Sequence, residues 1–347
     1  MTGNDRTNVS SLLEPLVSVI LPTYNEAQTV EKSLVSLLDG GYRNIEVLVV
    51  DGGSVDGTLD LVRSIASRYP GKVLILHNEK RYTPHALNIG IRKAKGSYIM
   101  IASAHAVFSK NYLEACVKVL EEGKADVTGG VLEVRARSES KKAKAIASVL
   151  SHPFGVGGAR YRLGTETEMY VDTVAYGVYR KEIFEHVGLF DERFIRNQDL
   201  EFNLRLKRAG YRTMLVPHTK AYYLARDSYS ALWKNNFENG RWVTKGAKYT
   251  KNSFSFRHLV PLFFVLYLTI FGGFALLTTK TISHLFLLSL PALLYLSLAL
   301  YFATVLSLQN RKITLIPYVL TAFVVLHISY GIGSLFGLME HAVRMAF

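Results

Sequence analysis

Two short polar segments, Tyr24-Asn25-Glu26 and Asp51-Gly52-Gly53-Ser54, each follow directly on an apolar, β-branched run. A carboxylate with small residues beside it suits a ribose or the edge of a base, and the turn that follows is open to phosphates. The two runs, Val17–Leu21 and Ile45–Val50, read as strands. Between them Val30, Leu34, Leu37 and Leu38 are spaced to one face of a helix. Strand, helix and strand in that order make a unit of a parallel sheet. Ligands of open α/β sheets bind beyond the carboxyl ends of the strands. Pro22, Tyr24, Glu26, Asp51 and Gly53 all fall there, as candidates for a nucleotide pocket.

Further candidates lie downstream. Leu74–Leu76 and Ser97–Ile101 continue the strand pattern, with Ala86–Ala94 as the helix between them. The second strand runs into Ser103-Ala104-His105. Imidazole suits Mn²⁺ or later metals, whereas Mg²⁺ prefers oxygen ligands. His105 therefore reads either as a ligand of a divalent cation or as a direct phosphate contact. Gly155, Gly157 and Gly158 crowd one loop, with Arg160 and Arg162 close behind. Taken alone this is a flexible surface loop; its arginines could also meet phosphates. Asp199 precedes Phe202, Leu204 and Leu206, where a helix dipole favours a carboxylate and where a base could equally stand. Glu201 and Arg205 fit an i, i+4 ion pair.

Composition sets the scale. At 347 residues the chain has room for one large α/β domain and something smaller. Its 41 Lys and Arg against 28 Asp and Glu give a net charge of +13, which favours phosphates, nucleic acid or anionic lipid. No basic platform of stacked aromatics is visible, so a nucleic-acid partner is not expected. Cys116 sits at helical spacing among Leu113, Val117 and Leu120, as a packed core thiol. Residues 1–14 read as a disordered polar tail without a secretory leader.

After His258 the composition changes. Residues 259–279, 281–310 and 313–339 carry no charged side chain apart from His284 and His327. Each run is long enough for a spanning helix, so a bundle of three transmembrane helices is expected, with spans near 259–279, 285–308 and 313–337. The third could instead be partly interfacial. Lys245, Lys248, Lys251 and Arg257 before the first run, with Arg311 and Lys312 after the second, put residues 1–258 in the cytoplasm of a multi-pass membrane protein. Gly333 and Gly337 are spaced for close helix packing. His327 is a polar group in an apolar run, either packed beside Tyr330 or functional.

Pro22–Glu26 followed by Val50-Asp51-Gly52-Gly53-Ser54-Val55-Asp56-Gly57-Thr58 resembles the start of a family 2 glycosyltransferase. The stretches 153–162, 171–177, 188–192 and Arg196-Asn197-Gln198-Asp199-Leu200-Glu201 are similar to the succinoglycan-type exopolysaccharide branch. The resemblance implies a GT-A fold over residues 15–245, an α/β domain with a mixed, mostly parallel sheet, then an interfacial linker at 246–258 and the membrane region at 259–347. It implies that a nucleotide-sugar donor is held by Pro22, Tyr24, Glu26, Asp51, Gly53, Ser103, His105 and Arg241. A divalent cation, Mn²⁺ or Mg²⁺, would sit at His105, although Ser103 stands where the family usually has Asp. Asp199 is the implied general base of an inverting transfer, with Arg160, Gln198 and Trp242 toward the acceptor. Trp242 could also be a headgroup-level aromatic of a membrane-surface helix. Glu238 replaces the Gln of the family's Gln-X-X-Arg-Trp element, against a polymer-extruding synthase. The implied acceptor is a lipid-linked saccharide. The alternatives are a polyprenyl- or dolichyl-phosphate sugar synthase and a non-catalytic partner in an assembly complex.

Overall fold

The computed structural model describes residues 14–249, 258–278 and 282–343. The α/β unit runs β1 (Val17–Thr23), α1 (Val30–Leu38), β2 (Ile45–Asp51), α2 (Thr58–Arg68), β3 (Val73–His77), α3 (Thr83–Lys93), β4 (Tyr98–Ile101), β5 (Ala106–Phe108), α4 (Tyr112–Glu121) and β6 (Val127–Ala136). It continues with α5 (Lys141–Leu150), α6 (Pro153–Val156), α7 (Arg160–Leu163), β7 (Met169–Tyr170), β8 (Val178–Arg180), α8 (Glu182–His186), α9 (Gln198–Arg208), β9 (Thr213–Ala225) and α10 (Tyr229–Gly246). Then come α11 (Val260–Thr278), α12 (Ile282–Gln309) and α13 (Ile316–Val343).

One sheet carries the unit, in the order β3-β2-β1-β4-β8-β6-β9-β5, with β7 on β9. The first four strands in that order are parallel. Beyond β4 the pairing turns antiparallel, except for β6 with β9. The sheet is thus evenly mixed among the described residues, four parallel pairings and four antiparallel, rather than mostly parallel as expected. β1 is central and covered on both faces, which is why Val17–Leu21 is a continuous apolar run instead of an alternating one. Pro22 fits in this strand for a local reason. The Ile20 carbonyl faces β4, accepting from the Ala102 N–H, so two residues on, Pro22 faces the same way. β4 stops pairing at Ile101, so the N–H that Pro22 lacks has no ladder partner to lose. α1 buries Val30, Leu34, Leu37 and Leu38 as the spacing requires, and Cys116 is a buried core thiol.

Two helical stretches, Ser289–Gln309 and Ile313–Glu340, are long and apolar enough to cross a membrane. Val260–Ile270 is a shorter apolar stretch among the residues whose side chains are described, so two of the three expected spans meet that length among the described residues. α12 presents Leu290, Leu293, Leu294, Leu296, Leu298, Leu300 and Tyr301 outward. α13 behaves differently. Its first half packs Val319, Phe323 and Leu326 on Ala145, Ile146 and Val149 of α5. Its second half lies on α10 so closely that a Cβ on Gly333 would stand 1.9 Å from the Phe237 carbonyl oxygen, and one on Gly337 2.2 Å from that of Arg241. The Gly333 and Gly337 pair does serve close packing, but its partner is a helix of the α/β unit. The Thr244 hydroxyl adds a hydrogen bond of 2.8 Å to the Ser334 carbonyl. The expected tail and linker fall largely on residues 1–13 and 250–257, outside the described residues.

Candidate active site

The loops after β1 and β2 are fastened to each other. Asn25 has φ 54°, a left-handed turn that Asn tolerates, and its side-chain oxygen accepts from Val55 N–H at 3.0 Å. Its own N–H donates to the Ser54 hydroxyl at 2.9 Å, and that of Glu26 to the Thr58 hydroxyl at 2.8 Å. Asp51 organises the turn. One carboxylate oxygen accepts from the Thr23 and Ser54 hydroxyls at 3.1 and 2.6 Å. The other accepts from the N–H groups of Gly53 and Ser54 at 2.8 and 2.9 Å. With φ 82° at Gly53, only glycine closes this turn without strain. Asp51 is 1 % exposed. The structure therefore places it as the brace of the turn, with Tyr24 (44 % exposed) and the 52–54 backbone forming the outer surface.

The loop after β4 brings Ser103 and His105 to the same edge. His105 Nδ1 lies 3.2 Å from Glu26 Oε1, and Nε2 lies 3.1 Å from the Ser103 hydroxyl. Glu26 thus belongs with His105 rather than with Asp51. Burial opposes its ionisation, but hydrogen bonds from His105 and Thr29 outweigh that and hold its pKa below the usual carboxylate value. A divalent cation would meet one imidazole, one carboxylate and one hydroxyl here. No group of three or more His, Cys, Asp and Glu fit to hold a metal occurs among the described residues. This donor set fits a cation that takes most of its oxygens from a bound diphosphate.

Asp199 opens α9, next to Gln198, at the wall of a cavity of about 1010 Å³. Its side chain is open to the cavity, but the protein crowded around it disfavours charge and raises its pKa above the usual Asp value. The N–H groups of Leu200 and Asp199, then Arg196 and Arg162, oppose that rise in part. The approach to Asp199 is clamped by α10. Arg196 Nε donates to Asn239 Oδ1 at 2.6 Å, its Nη2 reaches Asn235, and Asn197 Nδ2 donates to the Asn239 carbonyl at 3.1 Å. Asn197 takes φ 58° to make this turn.

The same cavity is lined by Arg160 and Arg162, by Tyr223 and Arg226, and also by Pro261, Phe264, Tyr295, His327 and Tyr330. His327 ties three elements together: Nδ1 meets the Tyr295 hydroxyl at 2.9 Å and Nε2 the Phe154 carbonyl at 2.8 Å. Two expected site residues do not join. Arg241 Nε pairs with Glu340 of α13 at 2.9 Å, and its Nη1 lies 3.3 Å from Glu238, which accounts for the Glu at that position. Trp242 is buried under Lys245, whose Nζ stands 4.8 Å from the ring. Arg241 builds the α10–α13 contact instead of the cavity wall, and Trp242 is not among the residues lining that cavity. Tyr223, Arg196, Arg226, Asn235 and Asn239 went unremarked as site residues. Only the i, i+4 spacing of the two asparagines on an otherwise amphipathic helix hinted at them.

The family model "Glycosyl transferase family 2" matches residues 18–188. A glucuronosyltransferase of Methanococcus voltae, named as acting on dolichyl N-acetyl-α-D-glucosaminyl phosphate, is 33 % identical over 72 % of this chain and 78 % of its own length. The chain belongs to glycosyl transferase family 2. This glycosyltransferase is also 30 % identical to the succinoglycan biosynthesis protein ExoA of Rhizobium meliloti, over 76 % of the chain and 77 % of the relative. Its fold matches that of a mannosyltransferase from Pyrobaculum calidifontis, solved with GDP-Man and Mn²⁺. The TM-score is 0.59 at 20 % identity, covering 91 % of this chain and 88 % of that one. The GT-A-like α/β fold with a mixed sheet is thereby shown, as is glycosyltransferase activity as the enzyme's class.

Proposed function

We propose that the enzyme works at a membrane, moving a sugar with inversion from a nucleotide sugar to a lipid-linked saccharide during glycan assembly. The observation that carries this reading is the cavity. Its wall includes Asp199 and two arginines as well as Pro261, Phe264, Tyr295 and Tyr330, so a polar reacting group and an apolar chain can lie in one continuous space. The Methanococcus relative is named for a dolichyl-linked substrate and ExoA for a polysaccharide pathway, which supports the same class of acceptor. The donor's nucleoside lies over Tyr24 and the 52–54 turn, and its diphosphate faces Ser103 and His105. A divalent cation held by His105 and Glu26 would, when bound, offset the charge of that diphosphate. Asp199 takes the proton from the acceptor hydroxyl as that oxygen attacks the anomeric carbon, and the nucleoside diphosphate leaves from the opposite side. One carboxylate suffices, because a single displacement needs no acid paired across the bond. Its raised pKa brings the base closer to the acidity range in which proton transfer is efficient.

In this reading α12 and the apolar part of α11 enter the bilayer. α13 rests on the catalytic unit at the interface, because α5 with Lys141, Lys142 and Lys144 covers its first half and α10 its second. Lys245, Lys248, Arg311 and Lys312 then face the anionic cytoplasmic leaflet. The test is Asp199→Asn in the full chain, solubilised in detergent and given UDP-, GDP- and dTDP-sugars with a lipid-linked saccharide acceptor. Transfer should fall by about two to four orders of magnitude, with donor affinity retained. Turnover at the wild-type rate would remove Asp199 from the chemistry.

A further inference from the structure

Arg162 is one of the two loop arginines able to meet phosphates, and the transfer described above gives it no role of its own. It is half-buried and lines the cavity. Its Nη1 is buried and has no hydrogen-bond partner. No carboxylate forms an ion pair with it among the described residues, although Asp199 lies near enough to feel its charge. What surrounds it is aromatic: the guanidinium carbon stands 5.6 Å from the Tyr161 ring and 5.9 Å from the Tyr223 ring. A buried guanidinium without an ion-pair partner is unfavourable to folding, and an orphaned donor of this kind calls for a reason.

Tyr223 supplies the reason. Its ring meets that of His105 edge-on at 5.7 Å, so one tyrosine touches both the loop facing the donor diphosphate and Arg162. Arg162 is therefore linked to the His105 loop through Tyr223, and its charge reaches Asp199. The neighbouring cations are already engaged. Arg226 Nη1 donates to the Tyr223 hydroxyl at 3.0 Å, and Arg196 is held by Asn235 and Asn239. Arg160 is exposed at the wall. Local charge points the same way. With Ser103 where a second carboxylate would stand, the His105 loop has little to hold a tightly bound cation, and a fixed guanidinium can carry part of that duty.

Resting on the glycosyl-transfer reading, we propose that Arg162 is the anion-binding residue of the reacting centre, receiving a phosphate or diphosphate group through its unpartnered Nη1. Two sources share this chemistry: the nucleoside diphosphate leaving the donor, and the phosphate that links the acceptor to its lipid.

The experiment measures binding of inorganic pyrophosphate, of UDP and GDP, and of farnesyl phosphate to the full chain in detergent, for wild type, Arg162→Gln and Arg162→Lys. Arg162→Gln should weaken pyrophosphate about tenfold to a hundredfold, the scale of lost charge-assisted hydrogen bonds. Arg162→Lys should recover only part, because an ammonium keeps the charge without the fork. Loss of nucleoside diphosphate binding alone assigns the donor side, and loss of farnesyl phosphate alone the acceptor side; either supports the proposal. Wild-type affinity for all the probes in Arg162→Gln overturns it. Should Arg162→Gln not fold, Arg162→Lys decides: weaker pyrophosphate binding at an unchanged melting temperature supports the role, and unchanged binding refutes it. A wild-type protein that binds none of the probes defeats the functional reading itself, which is a different result.

Discussion

Gly333→Ala should slow catalysis from a position that touches no substrate. The new Cβ would stand 1.9 Å from the Phe237 carbonyl oxygen, where contacts under 3.0 Å are essentially never seen, so α10 and α13 must part by about 1.1 Å or more. Ala gains roughly 1 kcal/mol of helix propensity over Gly. Overpacking costs about 1–3 kcal/mol, and the upper end applies because the opposing atom is helix backbone that cannot rotate away. The fold should lose about 1–2 kcal/mol on balance. The displacement reaches the chemistry through Phe237, which lies between Asn235 and Asn239, the residues that hold Arg196 and Asn197 ahead of Asp199. Misplacing a reacting group by about 1 Å is worth up to a hundredfold in rate. The assay is steady-state transfer with whichever nucleotide sugar supports turnover, alongside donor affinity and a melting curve in the same detergent. A kcat lower by about tenfold to a hundredfold with donor affinity within about twofold is expected. A variant with a lowered melting temperature and wild-type kcat would refute the coupling, since the helices would have parted without disturbing Asp199.

Other outcomes follow from the same geometry. Asp51→Asn can turn its NH₂ to the Thr23 and Ser54 hydroxyls, which also accept, but all four bonds lose their charge, so it should destabilise the fold by about 1–2 kcal/mol and weaken nucleotide binding; an unchanged melting curve would argue against the brace. Arg241→Ala and Glu340→Gln should behave alike, lowering the melting temperature modestly while leaving donor affinity unchanged; a donor-binding defect confined to Arg241→Ala would return that residue to the diphosphate. The raised pKa of Asp199 sets a sign for pH dependence. As a base it must lose its proton, so kcat should climb with pH through a value above the ordinary Asp range and then level off. The folded state also holds that proton more tightly than the unfolded chain, so Asp199 weakens the fold increasingly as pH rises through that range. Asp199→Asn should therefore melt higher than wild type near neutral pH, and an equal or lower melting temperature would contradict the burial argument.

What could be read from the sequence was mostly local. The ends of β1 and β2, the helix between them and the start of α9 are written in runs of a few residues, so Glu26 and Asp51 were placed at strand ends, His105 after a later strand and Asp199 near a helix start. Their partners were not legible, because they come from afar. Glu26 meets His105 across 79 residues and Arg241 meets Glu340 across 99. Asp51 shows the opposite case: its partners are adjacent, and a carboxylate surrounded by Gly and Ser N–H groups looks the same whether it grips a ligand, its own turn or both. α13 shows the limit of composition. An apolar run reports that a helix avoids water, but lipid and a packed protein face are equally apolar. Here α5 and α10 cover α13 on successive halves, and Gly333 and Gly337 mark where a neighbour comes close without naming it.

The cover that α5 and α10 give to α13 also bears on the order in which the enzyme can be made. α5 and α10 emerge from the ribosome well before α13, so Ala145, Ile146, Val149 and the face around Gly240 wait without their partner. Throughout that interval the half-made catalytic unit has an apolar flank open to chaperones or to misassembly. The clamp on Arg196 and Asn197 is steadied only once α13 docks. Nascent chains should accordingly remain inactive until α13 has been synthesised and has docked on α5 and α10.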